Sequence, residues 1–270
     1  MSARAKAVAA EELPADAPSI DGRGIAMGFL AMLPLFVAYE VALAPTGGSA
    51  RNLGEVVLSL PFTPFGAHAD LARRVALGLL AFAAAWRCFH VELGLGPRVL
   101  RIALEGLLAA ALLGPALLVL LSLVGGLDAL RGVQLPSAPD GPGLASAALL
   151  AGGAAWEEVL FRLGLQSLLF LVFRRAFVFW LGAEEAARWA AEGAALLLAS
   201  LVFAAAHLAV FTQVLGPGGE PFHAGVFPWR VLAGILLALL FRFRGPGVAA
   251  WTHAFFNLAL SIGAGPGVFL

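Results

Sequence analysis

The chain is poor in charge, in cysteine and in lysine, and each shortage excludes something. Charged residues make up 13% of its 270 residues, about half the share of an ordinary soluble domain, where they reach roughly 25%. Its single cysteine, Cys88, excludes an intramolecular disulfide and any metal site built on cysteine. Lysine is nearly absent while arginine is common; beside so much alanine and glycine, that is genomic base bias and carries no chemistry. The formal net charge is zero, and no basic stripe runs along the chain, so nothing favours nucleic-acid binding. There is no internal repeat, which removes the inverted-repeat signature of many secondary transporters. No His-Glu-x-x-His motif is present, so the commonest zinc-peptidase signature is missing.

What the chain does have is apolar sequence. Apolar residues reach 61%, against roughly 45–50% in soluble domains, and they fall in runs near the roughly 18–20 residues needed to span a bilayer. The pattern predicts an all-α, polytopic transmembrane bundle of about seven spans, within a range of six to eight. Residues 1–24, with Glu11, Glu12, Asp16 and Asp21, lack the basic start and prompt apolar stretch of a secretion signal. They read as a disordered cytoplasmic tail, and residues 25–270 as a single transmembrane domain.

Spans are expected over about 25–43, 75–89, 102–124, 144–173, 193–215, 228–241 and 247–262. Between the first two, an interfacial helix is expected near 56–60. Residues 125–143, with Asp128, Arg131, Pro136, Pro139, Asp140 and Pro142, read as a loop. Arg174, Arg175, Trp180, Glu184, Glu185, Arg188 and Trp189 suit a helix lying in the headgroup layer. Gly216-Pro217-Gly218-Gly219 is a clean break. With seven spans and the N-terminus inside, Arg4, Lys6, Arg23, Arg87, Arg98, Arg101, Arg174, Arg175, Arg188, Arg242 and Arg244 lie inside. Arg51, Arg73, Arg74 and Arg131 lie outside, and Arg162 and Arg230 fall within spans. That bias places the N-terminus in the cytoplasm.

Three polar clusters interrupt the apolar runs: Glu157-Glu158-Val159-Leu160-Phe161-Arg162, Phe203 four residues before His207, and His253 four residues before Asn257. Ionisable groups in the hydrocarbon are expensive and mark functional sites by default. At 1.5 Å per residue, Glu157, His207 and His253 lie roughly 20, 12 and 14 Å from the outer ends of their spans. The three share one slab of the membrane, toward its outer half. Residues four apart share a helix face, so Glu158 and Arg162 can pair, and His253 and Asn257 point the same way. Glu157, about 100° round the helix, has no intrahelical partner and is the better candidate for chemistry.

Each group has a plainer reading. His207 or His253 could be an interhelical hydrogen-bonding group, Glu158 with Arg162 a neutralised structural pair, Asn257 structural and Phe203 packing. Glu40 and His90 fit interfacial positions, and Glu105 a supporting polar contact. Against the plainer readings stands the conjunction of acid, base and amide groups at four-residue spacings on hydrophobic helices.

At these residues the sequence resembles the CPBP intramembrane protease family, also called the Abi or type II CAAX prenyl endopeptidase family. That family's pattern is Glu-Glu-x-x-x-Arg, Phe-x-x-x-His and His-x-x-x-Asn (or Asp) on successive helices. The likeness covers about residues 145–262. Arg244-Gly245 resembles the lead-in to the third motif, whereas Leu163-Gly164 departs from members that place Gly directly after the Arg. The resemblance implies a glutamate-type intramembrane endopeptidase needing no cofactor. Glu157 with His207 would activate water, His253 with Asn257 would donate to the oxyanion, and Glu158, Arg162 and Phe203 would support the site. It also admits a zinc-dependent version in which Glu157, His207 and His253 are ligands. The substrate would be a membrane-associated protein or peptide cut near its C-terminus in a bacterial inner membrane. Bacterial relatives include immunity proteins, peptide-signal processors and the myxosortase branch, which cleaves C-terminal sorting tails. A non-catalytic immunity factor or transporter using the same residues is the alternative from another class.

Overall fold

A computed structural model describes residues 22–89, 94–123, 143–211, 219 and 221–263. Among these residues the chain is all-helical, with eight helices: α1 Gly22–Leu43, α2 Leu53–Ser59, α3 Ala69–Cys88, α4 Leu95–Leu123, α5 Leu144–Leu181, α6 Glu184–Ala205, α7 Val226–Arg244 and α8 Pro246–Gly263. Five of them, α1 and α4 to α7, are long and apolar enough to cross a membrane, which marks an integral membrane protein. The other two long helices are weaker candidates. α3 carries Asp70, Arg73, Arg74 and Arg87, and α8, with 18 residues, lies near the lower limit of a span.

Contacts fix the relative directions. α1 and α3 are antiparallel: Glu40 pairs with Arg73 and Arg74 toward one end, while Met27 and Leu30 pack with Ala84 and Cys88 toward the other. α1 and α8 are parallel, with Gly28 against Gly247 and Trp251 Nε1 donating to the Ala31 carbonyl at 2.8 Å. α4 also runs parallel to α8, Gly106 meeting Trp251 and Gly114 meeting Phe256. α7 opposes α4 through Glu105–Arg244 and Trp229–Leu117, and opposes α6 through Glu192–Arg242 and Ser200–Gly234. The seven long helices therefore alternate in direction along the chain.

α1, α5 and α8 form the centre. Phe36 packs on Trp156 at 4.7 Å between ring centroids. Gly152 lets the backbones of α1 and α5 touch: a Cβ there would overlap Tyr39 and lie 2.7 Å from the Leu35 carbonyl oxygen. Small residues at such crossings let helices in lipid gain dispersion contact. Outward-facing Leu79, Phe82, Trp86, Leu108, Leu112 and Phe179 are exposed, as suits side chains turned to hydrocarbon.

Several boundaries differ from the sequence expectation. The fourth span is one helix of 38 residues, Leu144–Leu181, because nothing at Arg174-Arg175 breaks it. It stops only at Gly182, whose φ of 63° makes the left-handed cap and whose N–H donates to the Val178 carbonyl. α6 restarts at Glu184, so no separate headgroup helix exists between these two elements. α6 also ends earlier than expected, at Ala205, leaving His207 in the following turn. The interfacial helix near 56–60 is α2, Leu53–Ser59, followed by 3₁₀ turns over Leu60–His68. Residues 1–21 of the expected tail, 124–142 of the expected loop and 216–218 of the glycine–proline break lie outside the described residues.

Candidate functional site

The site begins at a change of helix type. Residues Leu144–Glu158 are α-helical, and Val159–Gln166 then widen into a π-helical stretch before α-geometry resumes. Such stretches occur often at functional sites. With about 4.4 residues in a π turn, Arg162 sits nearly over Glu158, and Arg162 Nε lies 3.5 Å from Glu158 Oε2. Both are fully enclosed, at 1% and 0% exposure. Arg162 also donates to the Gly234 carbonyl at 3.3 Å and lies over the Phe203 ring at 4.8 Å. Glu158 Oε1 accepts from His253 Nδ1 at 3.0 Å. Glu158 thus ties together α5 and α8, and Arg162 adds α6 and α7.

Glu157 is placed differently. Its Oε2 faces two imidazoles from two other segments, His207 Nε2 at 3.9 Å and His253 Nε2 at 3.7 Å. These separations are too long for direct hydrogen bonds. His207 Nδ1 lies 2.8 Å from the Phe203 carbonyl oxygen. A carbonyl can only accept, so Nδ1 carries the proton and, in the neutral ring, Nε2 is the acceptor. His207 is fixed in this pose by the turn that ends α6 and by edge-to-face contact with Phe203. Phe203 meets His253 in the same way and Phe161 on its other side. One aromatic ring therefore spaces both histidines and covers Arg162. A small apolar cavity lined by Gly114, Leu117, Leu236, Thr252 and Phe256 opens onto His253.

The three motifs are brought together, with one looser member. Asn257 lies one turn beyond His253 on α8 and is half-buried. Among the described residues, no hydrogen bond or ion pair joins its amide to Glu157, His207 or His253. Glu105 pairs with Arg101 and Arg244, away from the cluster.

Two contributors carry no motif. Arg230, buried on α7 one turn before Gly234, interacts electrostatically with both Glu157 and His207. Asn52, the cap of α2, donates from Nδ2 to Glu157 Oε1 at 2.8 Å across 105 residues of sequence. Its backbone N–H donates to the Tyr39 hydroxyl at 2.7 Å, and that hydroxyl donates to Glu55 Oε2 at 2.8 Å. Glu55, fully buried, pairs with Arg73 at 3.2 Å. Burial pushes the Glu55 carboxyl above the ordinary range, against the pull of the Arg73 guanidinium. Asn52 before an acidic first turn is readable as a helix cap; nothing in the sequence ties it to Glu157.

In a zinc-dependent version the ligand atoms would be Glu157 Oε2, His207 Nε2 and His253 Nε2, the carboxylate oxygen standing 3.9 and 3.7 Å from the two nitrogens, against about 3.3–3.4 Å between tetrahedral zinc ligands. Among the described residues, no group of three or more His, Cys, Asp or Glu is placed to hold a metal ion. Compared with known proteins, the chain matches no family model, no curated protein and no solved structure.

Proposed function

We propose that this protein is an intramembrane endopeptidase of glutamate type, of the CPBP kind, cutting a membrane-associated protein or peptide near its C-terminus. The observation that carries the reading is the convergence of Glu157 Oε2, His207 Nε2 and His253 Nε2 from three separate segments inside an apolar bundle. A substrate water held against Glu157 Oε2 and His207 Nε2 presents both of its protons to acceptors. Glu157 takes one proton as the water oxygen attacks the scissile carbonyl carbon, and the carbonyl π bond opens to an oxyanion. His253, held through Nδ1 at Glu158 Oε1, turns Nε2 toward that oxyanion as its donor. The Asn257 amide, one turn along, is the second donor once substrate is seated. Collapse of the tetrahedral intermediate breaks the C–N bond, and the proton on Glu157 passes to the leaving amine. Preorganised donors of this kind commonly supply the largest share of acyl-transfer catalysis.

The alternating helix directions support seven crossings, and the arginine bias favours the N-terminus in the cytoplasm of a bacterial inner membrane, with the site toward the outer half. No cofactor is needed, because a carboxylate with an imidazole suffices for general-base work. The absence of an internal repeat counts against transport, and the completed acid–base set counts against mere binding. The test is cleavage, in liposomes, of a quenched-fluorescent peptide with one hydrophobic helix and a basic C-terminal tail. The wild type should cleave it and Glu157→Gln should not. Equal cleavage by Glu157→Gln would overturn the base assignment.

A further inference from the structure

The α2 element grips Glu157 by a direct hydrogen bond, whereas the motif histidines stand 3.9 and 3.7 Å from it. Asn52 Nδ2 donates to Glu157 Oε1 at 2.8 Å, which leaves Oε2 as the oxygen that faces His207 and His253. The element itself is pressed onto the catalytic turn. A Cβ at Gly54 would lie 2.8 Å from the Trp156 carbonyl carbon and 2.9 Å from Glu157 N. On α5, a Cβ at Gly153 would meet Asn52 Nδ2 at 3.0 Å. Asn52 cannot rotate away freely, because its Oδ1 accepts from Gly54 N at 2.7 Å and its N–H is held by Tyr39. Both ends of its side chain amide are therefore engaged, the oxygen by the α2 cap and the nitrogen by the carboxylate.

From these contacts we propose that Asn52 is a positioning residue for the general base: it fixes the Glu157 carboxylate in the rotamer that turns Oε2 to the water. The proposal rests on the reading of Glu157 as the base. It explains why the short helix α2 is packed against the buried turn of α5 that carries Glu157.

The chemistry of the amide supplies the test, because capping and positioning use different atoms. Asp and Ser keep an oxygen that can cap α2, but neither offers the amide N–H to Glu157; Asp also sets a second carboxylate beside it. With the full chain in liposomes and the same quenched peptide, Asn52→Asp and Asn52→Ser should lower kcat about tenfold to a hundredfold, with KM nearly unchanged. Both should stay folded, because the α2 cap is kept, and melt only slightly below the wild type. A residue that only capped the helix would show wild-type turnover in these variants. A thermal-stability cycle over Asn52→Ser, Glu157→Ala and the double variant reads the contact without turnover. The effect of Asn52→Ser should shrink when Glu157 is absent. If Glu157→Gln is dead while Asn52→Asp and Asn52→Ser turn over normally, or if the cycle is additive, positioning is refuted and the base assignment stands. If Glu157→Gln itself cleaves at the wild-type rate, both fall together.

Discussion

Replacing Glu158 by Gln should damage the fold, whereas the same change at the adjacent Glu157 should damage chiefly the chemistry. Glu158 and Arg162 are enclosed at 0% and 1% exposure, 3.5 Å apart. Removing one partner of a buried ion pair leaves an uncompensated charge and costs about 3–5 kcal/mol. Arg162 keeps the Gly234 carbonyl and the Phe203 ring, and the new amide oxygen can still accept from His253, so the lower end, about 3 kcal/mol, applies. For a domain of this size that corresponds to a melting temperature lower by roughly 6–12 °C. Glu157→Gln retains an oxygen for Asn52 and loses only the longer-range attraction to Arg230, so its melting point should fall less than that of Glu158→Gln. Both variants should be inactive. The assay is thermal unfolding in detergent, followed by tryptophan fluorescence, beside peptide cleavage in liposomes. A Glu158→Gln protein that melts like wild type, beside a Glu157→Gln protein that still cleaves, would refute the division of roles.

Three further outcomes are expected. Cleavage should survive treatment with a strong chelator, and loss of activity restored only by Zn²⁺ would make Glu157, His207 and His253 ligands instead. Alkaline phosphatase fused after Leu270 should be active if that end is exported, and a cytoplasmic signal there would require six or eight crossings. Gly152→Val should destabilise by about 1–3 kcal/mol or more, because its side chain would meet the Tyr39 Cβ and the Leu35 carbonyl; an unchanged melting temperature would mean that α1 and α5 are further apart.

The amino-acid sequence by itself determined the class of solvent and the greater part of the acid–base set. Apolar runs of span length can be stable only where lipid or protein covers them, so a helical membrane bundle was legible from composition and period alone. Four-residue spacing put Glu158 over Arg162 and His253 in line with Asn257, since that relation is local to one helix. The tertiary structure decided everything that depends on distance through space. It set the π stretch at Val159–Gln166, whose wider turn no propensity in the sequence specifies. It carried α5 past Arg174 and Arg175 to Gly182, because arginines do not end a helix and no glycine or proline falls between Ser167 and Leu181. It placed His207 in a turn, fixed by the Phe203 carbonyl, where periodicity expected a continuing helix. Above all it brought Asn52 to Glu157 and Arg230 near the same carboxylate. A hydrogen bond across 105 residues has no period and no motif; it exists because Gly54 and Gly153 let two backbones approach closely enough for a short side chain to reach.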